Sequence, residues 1–178
     1  MNYKFCAHCG TEGLKTEIPH GDNKERQVCS HCGHIFYFNP KPVVGCIPVD
    51  KDSGKILICK RDIEPRHGYW TIPCGYMEIG ESTEEGAIRE TWEEATARIE
   101  IVGLLGLYNI VRLSQVQIFY RANLLSPDMT AGIETLELDL FDWDKIPWDD
   151  LAFPTVHWIL KKAIETRGDA GPLIPDLK

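Results

Sequence analysis

The chain has 178 residues, 43% of them hydrophobic, and a formal net charge of −8. That is enough for one medium-sized core with a small appended unit, and the acidic balance argues against nucleic acid as a partner of the whole surface. No apolar run reaches the roughly 20 residues of a membrane helix, and the opening MNYKFCAHCG lacks the charged-then-apolar layout of a signal peptide. The expectation is a cytoplasmic protein with no membrane partner.

The first unit is expected over residues 1–38. Cys6-Ala7-His8-Cys9 and Cys29-Ser30-His31-Cys32 are two C-x2-C knuckles 19 residues apart, the spacing of a structural zinc site rather than of disulfides. Gly10 and Gly33 follow the knuckles and let each turn fold its backbone toward the thiolates. Cys6, Cys9, Cys29 and Cys32 would complete a tetrahedral Zn2+ shell with no position left for catalysis, and metal would supply much of the folding energy. His8, His31 and His34 lie close by, so a histidine in place of one cysteine stays open.

Asn39-Pro40-Lys41-Pro42 is turn-prone and marks the start of a second unit, residues 39–178. Val43–Val49 and Lys55–Arg61, joined by Asp52-Ser53-Gly54, predict a hairpin with Cys46 and Cys59 as core fillers. Ile63–Cys74 predicts a loop with a short strand at Trp70-Thr71-Ile72, where Trp70 packs. A helix follows, capped by Ser82 or Thr83, with Ala87, Ile88, Thr91 and Ala95 toward the sheet and Glu84 and Glu85 as a solvated start. Strands are predicted at 99–108, 115–124 and 137–141, then an irregular stretch through Pro154. A last helix over 156–167 is capped by Thr155 and buries Val156, Ile159, Leu160, Ala163 and Ile164; the tail from Gly168 is expected to fray.

Chemistry concentrates in Gly75–Ala97, GYMEIGESTEEGAIRETWEEATA. Glu90, Glu93 and Glu94 recur at i+3 and i+4, so they occupy neighbouring parts of one helical face. Like charges at that spacing cost roughly 0.2–0.5 kcal/mol per pair, a penalty that a bound cation reverses. Carboxylate oxygens suit Mg2+ or Mn2+.

Gly75, Glu81, Arg89, Glu90, Glu93 and Glu94 fall in the register G-x5-E-x7-R-E-U-x-E-E-x-G-U. In this the chain resembles the Nudix hydrolases. Two positions depart: Thr91 stands where the family has an aliphatic residue, and Thr96 replaces the glycine after the paired glutamates. The cysteine ribbon, the N-P-K-P-V-V-G junction, H-G-Y-W-T-I-P-C-G-Y and L-A-F-P resemble a zinc-ribbon Nudix subfamily. That subfamily includes a plant chloroplast enzyme acting on FAD and ADP-ribose.

The resemblance implies an α+β protein: a Nudix fold, an α/β/α sandwich with a mixed sheet, preceded by a small β zinc ribbon. It implies a pyrophosphohydrolase that releases AMP from a small dinucleotide or nucleotide-sugar such as ADP-ribose or FAD. Glu93 and Glu94 would hold Mg2+ or Mn2+, and Glu90 would join them or serve as general base. The Gly75 carbonyl, Glu81 and Glu137 are candidate further ligands. Arg89 would orient a glutamate within the catalytic set. Arg61 is a candidate phosphate contact or a surface ion pair, and Tyr76, Tyr120 and Phe153 are candidate stacking rings, with packing the favoured role of each. Two other readings stand beside this one: an NADH/NAD pyrophosphatase or RNA-decapping enzyme, and a nucleotide-binding regulator without catalysis. The S-Q-P-W-P-F-P-x-S motif of NADH pyrophosphatases is absent after Ala97. A homodimer through the ribbon is also open.

Overall fold

The computed structural model describes residues 3–126, 128–167 and 175–177 and forms two compact units, Met1–Asn39 and Pro40–Lys178. In the first, β1 (Leu14–Glu17), β2 (Arg26–Cys29) and β3 (Ile35–Phe36) make an antiparallel sheet in that order. The two knuckles repeat one hydrogen-bond pattern. Cys6 N–H donates to Thr11 O and Gly10 N–H to Cys6 O, as Cys29 N–H donates to His34 O and Gly33 N–H to Cys29 O. Both closing glycines sit at positive φ, 73° and 72°, where any Cβ is strained. Among the described residues the apolar cluster is Cys6, Cys29, Phe36 and the half-buried Leu14, with Val28 also buried, too small to hold the unit without a further crosslink.

The second unit is built on β4 (Lys41–Asp50), β5 (Ile56–Arg61), β6 (Trp70–Thr71), β7 (Cys74–Tyr76), β8 (Ile99–Ile110), β9 (Gln115–Leu124), β10 (Thr135–Phe141) and β11 (Asp176–Leu177). Its helices are α1 (Thr83–Ala95) and α2 (Pro154–Glu165). The eight strands form one sheet in the order β10-β5-β4-β9-β8-β11, with β6 on β5 and β7 on β4. β4 runs parallel to β9 and β11 parallel to β8, while the other pairs are antiparallel, so the sheet is mixed.

Period-two alternation sends side chains of β4 and β5 to opposite faces. Val44, Cys46, Leu57 and Cys59 pack with Ala87 and Ala95 of α1; Ile47, Ile56 and Ile58 pack with Val156, Ile159, Leu160 and Ala163 of α2. A sheet buried on both faces needs apolar residues at successive positions, which is why these strands read as continuous runs. The result is an α/β/α sandwich with a mixed sheet, the layering that the resemblance implies.

Several sequence expectations are corrected. Ile88 is exposed, and the buried face of α1 is Gly86, Ala87, Thr91, Glu94 and Ala95. Glu85 does more than solvate the helix start. It accepts the Ser82 N–H at 2.7 Å while Ser82 Oγ accepts the Glu85 N–H at 3.2 Å, a capping box. α2 is not capped by Thr155: Phe153 holds the cap position, Pro154 opens the first turn, and Thr155 is buried. Proline suits that place because the first N–H of a helix has no intrahelical partner. Ile164 lies at the helix edge, partly exposed, and the helix ends at Glu165. Of the tail, residues 168–174 and 178 lie outside the described residues, and Asp176–Leu177 extends the sheet at its edge rather than fraying.

Candidate active site

Position 75 lies directly under the Glu90 carboxylate, which a side chain there would displace. A Cβ there would come within 2.3 Å of Glu90 Oε2. β7 pairs with β4 (Val44 opposite Gly75) and thereby lays the loop across the side of α1 that carries Glu90. The capping box starts the helix at a fixed residue, which sets the phase of the later glutamates.

Arg89 organises the side chains around it. Its Nε and Nη2 donate to the two oxygens of Glu81 at 2.9 and 2.8 Å, and its Nη1 donates to Glu90 at 2.8 Å and Glu93 at 2.9 Å. Nη2 also donates to the Tyr76 carbonyl at 3.0 Å. A planar guanidinium can serve this many acceptors because its five donors diverge in one plane. The Arg89 hydrogen bonds, with the Glu78 N–H, hold Glu81 down at about 2. Glu81 is thus occupied on both oxygens.

Glu94 is 8% exposed and accepts one hydrogen bond, from Cys74 N–H at 3.2 Å. Burial, then the charge of Glu90, pushes its carboxyl up to about 8. Burial also raises Glu90, against the pull of Arg89. Glu93 stays half in solvent. These groups line an open cavity of about 990 Å³, the size class of a nucleotide-sized ligand.

Arg61, at the end of β5, lines the same cavity. Its Nε donates to the Pro65 carbonyl at 3.0 Å and its guanidinium lies 5.2 Å from the Phe153 ring centre. Tyr76 lines it too, its hydroxyl accepting from Gln115 Nε2 at 3.0 Å. Tyr120 does not belong to the cavity: it is buried in the core against α1, its hydroxyl 2.6 Å from Thr83 Oγ1. Glu137 is likewise elsewhere. A register shift between Thr135 and Glu137 breaks the alternation of β10, and such a bulge re-aims the residues after it. Glu137 therefore sits opposite Lys60, its Oε2 3.2 Å from Lys60 Nζ, and is largely exposed. The carboxylate that reaches the cavity from this region is Glu134, in the turn before the strand. Sequence reasoning missed it because alternation assigns no direction to a turn residue. Trp92, an exposed indole on α1, also lines the cavity; its signal was a tryptophan on the helix face away from the core.

The last turn of α1 closes unusually. Thr96, at the box position where a glycine was expected, has φ 51° and ψ 24°, the left-handed conformation that glycine adopts most cheaply. The glycine is missing; its backbone conformation is kept.

Each donor set fits a metal of its own kind. Tetrahedral zinc with Zn–S bonds of about 2.3 Å places its sulfurs about 3.8 Å apart. Here Cys6 Sγ and Cys32 Sγ are 3.8 Å apart, Cys9 Sγ and Cys29 Sγ 3.7 Å, and all four lie within 4.8 Å of one another. Among the described residues no second group of three or more His, Cys, Asp or Glu side chains converges in this way. The cavity carboxylates are oxygen donors of the kind Mg2+ and Mn2+ take. The charge of Glu93 raises Glu90 and that of Glu90 raises Glu94, with Glu134 adding to both, the signature of crowded negative charge that a cation neutralises.

Carboxylates and an arginine thus line one open cavity on an α/β/α scaffold, donors of the kinds that a divalent cation and phosphate oxygens take. The chain belongs to the NUDIX domain family, whose model matches residues 39–165; the Nudix N-terminal zinc-ribbon model matches residues 4–38. An ADP-ribose pyrophosphatase of Methanocaldococcus jannaschii is 31% identical over 116 residues, 63% of this chain and 68% of that protein. The NAD-capped RNA hydrolase NudC of Edwardsiella ictaluri is 23% identical over 166 residues, which span 93% of this chain and only 60% of that protein. A crystal structure of a NUDIX hydrolase from Nitrosomonas europaea superposes with a TM-score of 0.90 at 45% identity, covering 99% of each chain. Among the described residues no helix is long and apolar enough to cross a membrane.

Proposed function

We propose that this Nudix pyrophosphohydrolase cleaves ADP-ribose, with FAD as the next candidate, giving AMP and ribose 5-phosphate or FMN. The observation that carries the reading is the cavity in which Glu90, Glu93, Glu94 and Glu134 meet Arg61: oxygen donors for a cation, and a guanidinium for phosphate oxygens. Glu93 and Glu94 would hold Mg2+ or Mn2+, which when bound polarises phosphate oxygens and activates water. Glu90, whose proton affinity burial raises, would take the proton of the attacking water. The water oxygen bonds to one phosphorus, the bridging P–O bond breaks, and the other phosphate leaves. Arg89 acts as a positioning residue, since its donors are occupied by Glu81, Glu90, Glu93 and the Tyr76 carbonyl. The ADP-ribose choice is supported by the Methanocaldococcus relative.

A second reading, an NAD-type substrate including NAD-capped RNA, is favoured by the Edwardsiella match, which runs over 93% of this chain. The test is a turnover panel of ADP-ribose, FAD, NADH and NAD-capped RNA with Mg2+ or Mn2+, for the native chain and Glu93→Gln. ADP-ribose should be fastest, and Glu93→Gln should lower its turnover by on the order of 10²-fold. A strong preference for NADH or capped RNA would transfer the assignment to the second reading. Turnover untouched by Glu93→Gln would remove the metal mechanism.

A further inference from the structure

The carbonyls of the last turn of a helix have no intrahelical donor and must find one elsewhere. In α1 those donors come from the segment 129–135, more than thirty residues further along the chain. Thr130 N–H donates to Ala95 O at 3.0 Å and Gly132 N–H to Glu94 O at 3.0 Å. In return, Thr96 Oγ1 donates to Thr130 O at 2.9 Å. Contact at Gly132 is so close that a Cβ there would fall 1.8 Å from the Glu93 carbonyl oxygen, which no side chain survives without backbone movement.

The segment is tied down on both sides of these contacts. Met129 packs against the core beneath α1; Thr135 is buried and its N–H donates to Gly132 O at 3.1 Å. Asp62 N–H donates to Glu134 O at 2.8 Å. Glu134 thus extends from backbone fixed at two points, into the cavity that Glu90, Glu93 and Glu94 line. The carbonyls gripped by the segment belong to Glu94 and its neighbour Ala95.

We infer that Thr96, Thr130 and Gly132 form a latch that sets the register between the glutamates of α1 and Glu134, making Thr96 and Gly132 positioning residues for the divalent cation site. The inference rests on the proposed cation chemistry of that site. It also accounts for the exchange at position 96. A glycine there would keep the left-handed turn but lose the hydroxyl that grips Thr130, whereas threonine accepts backbone strain and gains the grip.

The test compares Thr96→Val, Thr96→Ser and Gly132→Ala with the native chain in two measurements. One is Mn2+ binding without nucleotide, by electron paramagnetic resonance; the other is kcat, KM and half-activating Mn2+ with ADP-ribose. Thr96→Val keeps the shape and removes the hydroxyl. It should weaken Mn2+ binding and raise the half-activating concentration by roughly tenfold, with KM within about twofold, while Thr96→Ser should restore native behaviour. Gly132→Ala should act in the same direction and more strongly; if it does not fold, Thr96→Val decides. A lowered melting temperature with an unchanged Mn2+ curve would reduce the latch to a structural cap and overturn the inference. If the native chain turns over no nucleotide, the proposed function fails, but Mn2+ binding still tests the latch: equal binding by native and Thr96→Val chains overturns it.

Discussion

The four cysteine sulfurs of the ribbon already stand at the spacing of a tetrahedral zinc shell, whereas the carboxylates of the cavity are engaged by protein donors, Glu90 and Glu93 by Arg89 and Glu94 by the Cys74 N–H. The difference follows from how each set is positioned. Each knuckle fixes two sulfurs through a short hydrogen-bonded turn, so only one relation, between the knuckles, is left to the fold. The glutamates sit on one helix, repel one another, and are steered by Arg89 of that helix and by the Cys74 N–H of β7. A site that must release its products gains from ligands with alternative partners; a crosslink does not.

The largest expected effect comes from breaking the converged set. Cys29→Ser should remove most of the roughly 10 kcal/mol or more that structural zinc supplies. With so small a core, the ribbon should lose its amide dispersion in NMR spectra and release zinc to a chromogenic chelator. A native spectrum in zinc-free Cys29→Ser would show that the ribbon folds without metal and end the contrast.

The dispersed set should respond to pH and cation together. Glu94 is raised from its ordinary 4.5 to about 8, so between those values the folded chain binds more protons than the unfolded one. The contribution of Glu94 to the stability of the metal-free protein therefore falls as pH rises from about 4.5 to about 8 and then levels, by an amount on the order of a few kcal/mol. Saturating Mg2+ should flatten the fall, because a cation favours the ionised carboxylate. Chemical denaturation across pH, with and without Mg2+, measures both; a metal-free curve that rises over this window would contradict the burial of Glu94.

The smallest effect separates cavity carboxylates from bystanders. Glu137→Gln breaks only an exposed pair with Lys60, worth about 0.2–1 kcal/mol, and should leave turnover and Mn2+ activation at native levels. A large loss of turnover would return Glu137 to the site.

Much of this was legible before any coordinates. The knuckle spacing, the box register and the two-faced apolar strands are local patterns, and local patterns survive translation into structure because covalent spacing fixes them. The two readings of Glu137, ligand and plain strand residue, part at a bulge, where alternation stops being a guide. Tyr120 kept both readings open because an aromatic on a strand reads the same toward a cavity or a core, and it packs in the core. The Thr155 cap lost to Pro154, one residue earlier, whose fixed φ opens the helix.

The sequence by itself determined the cysteine quartet, the phase of Glu90, Glu93 and Glu94 on α1, and the box glycine at 75, since each depends on spacings of a few residues. Only the tertiary structure decided that Glu90 lies over Gly75, that Glu134 rather than Glu137 reaches the cavity, and that Thr96 does the work of a glycine with help from Thr130. These depend on segments up to dozens of residues apart meeting in one register, and that register is set by the packing of the whole sheet.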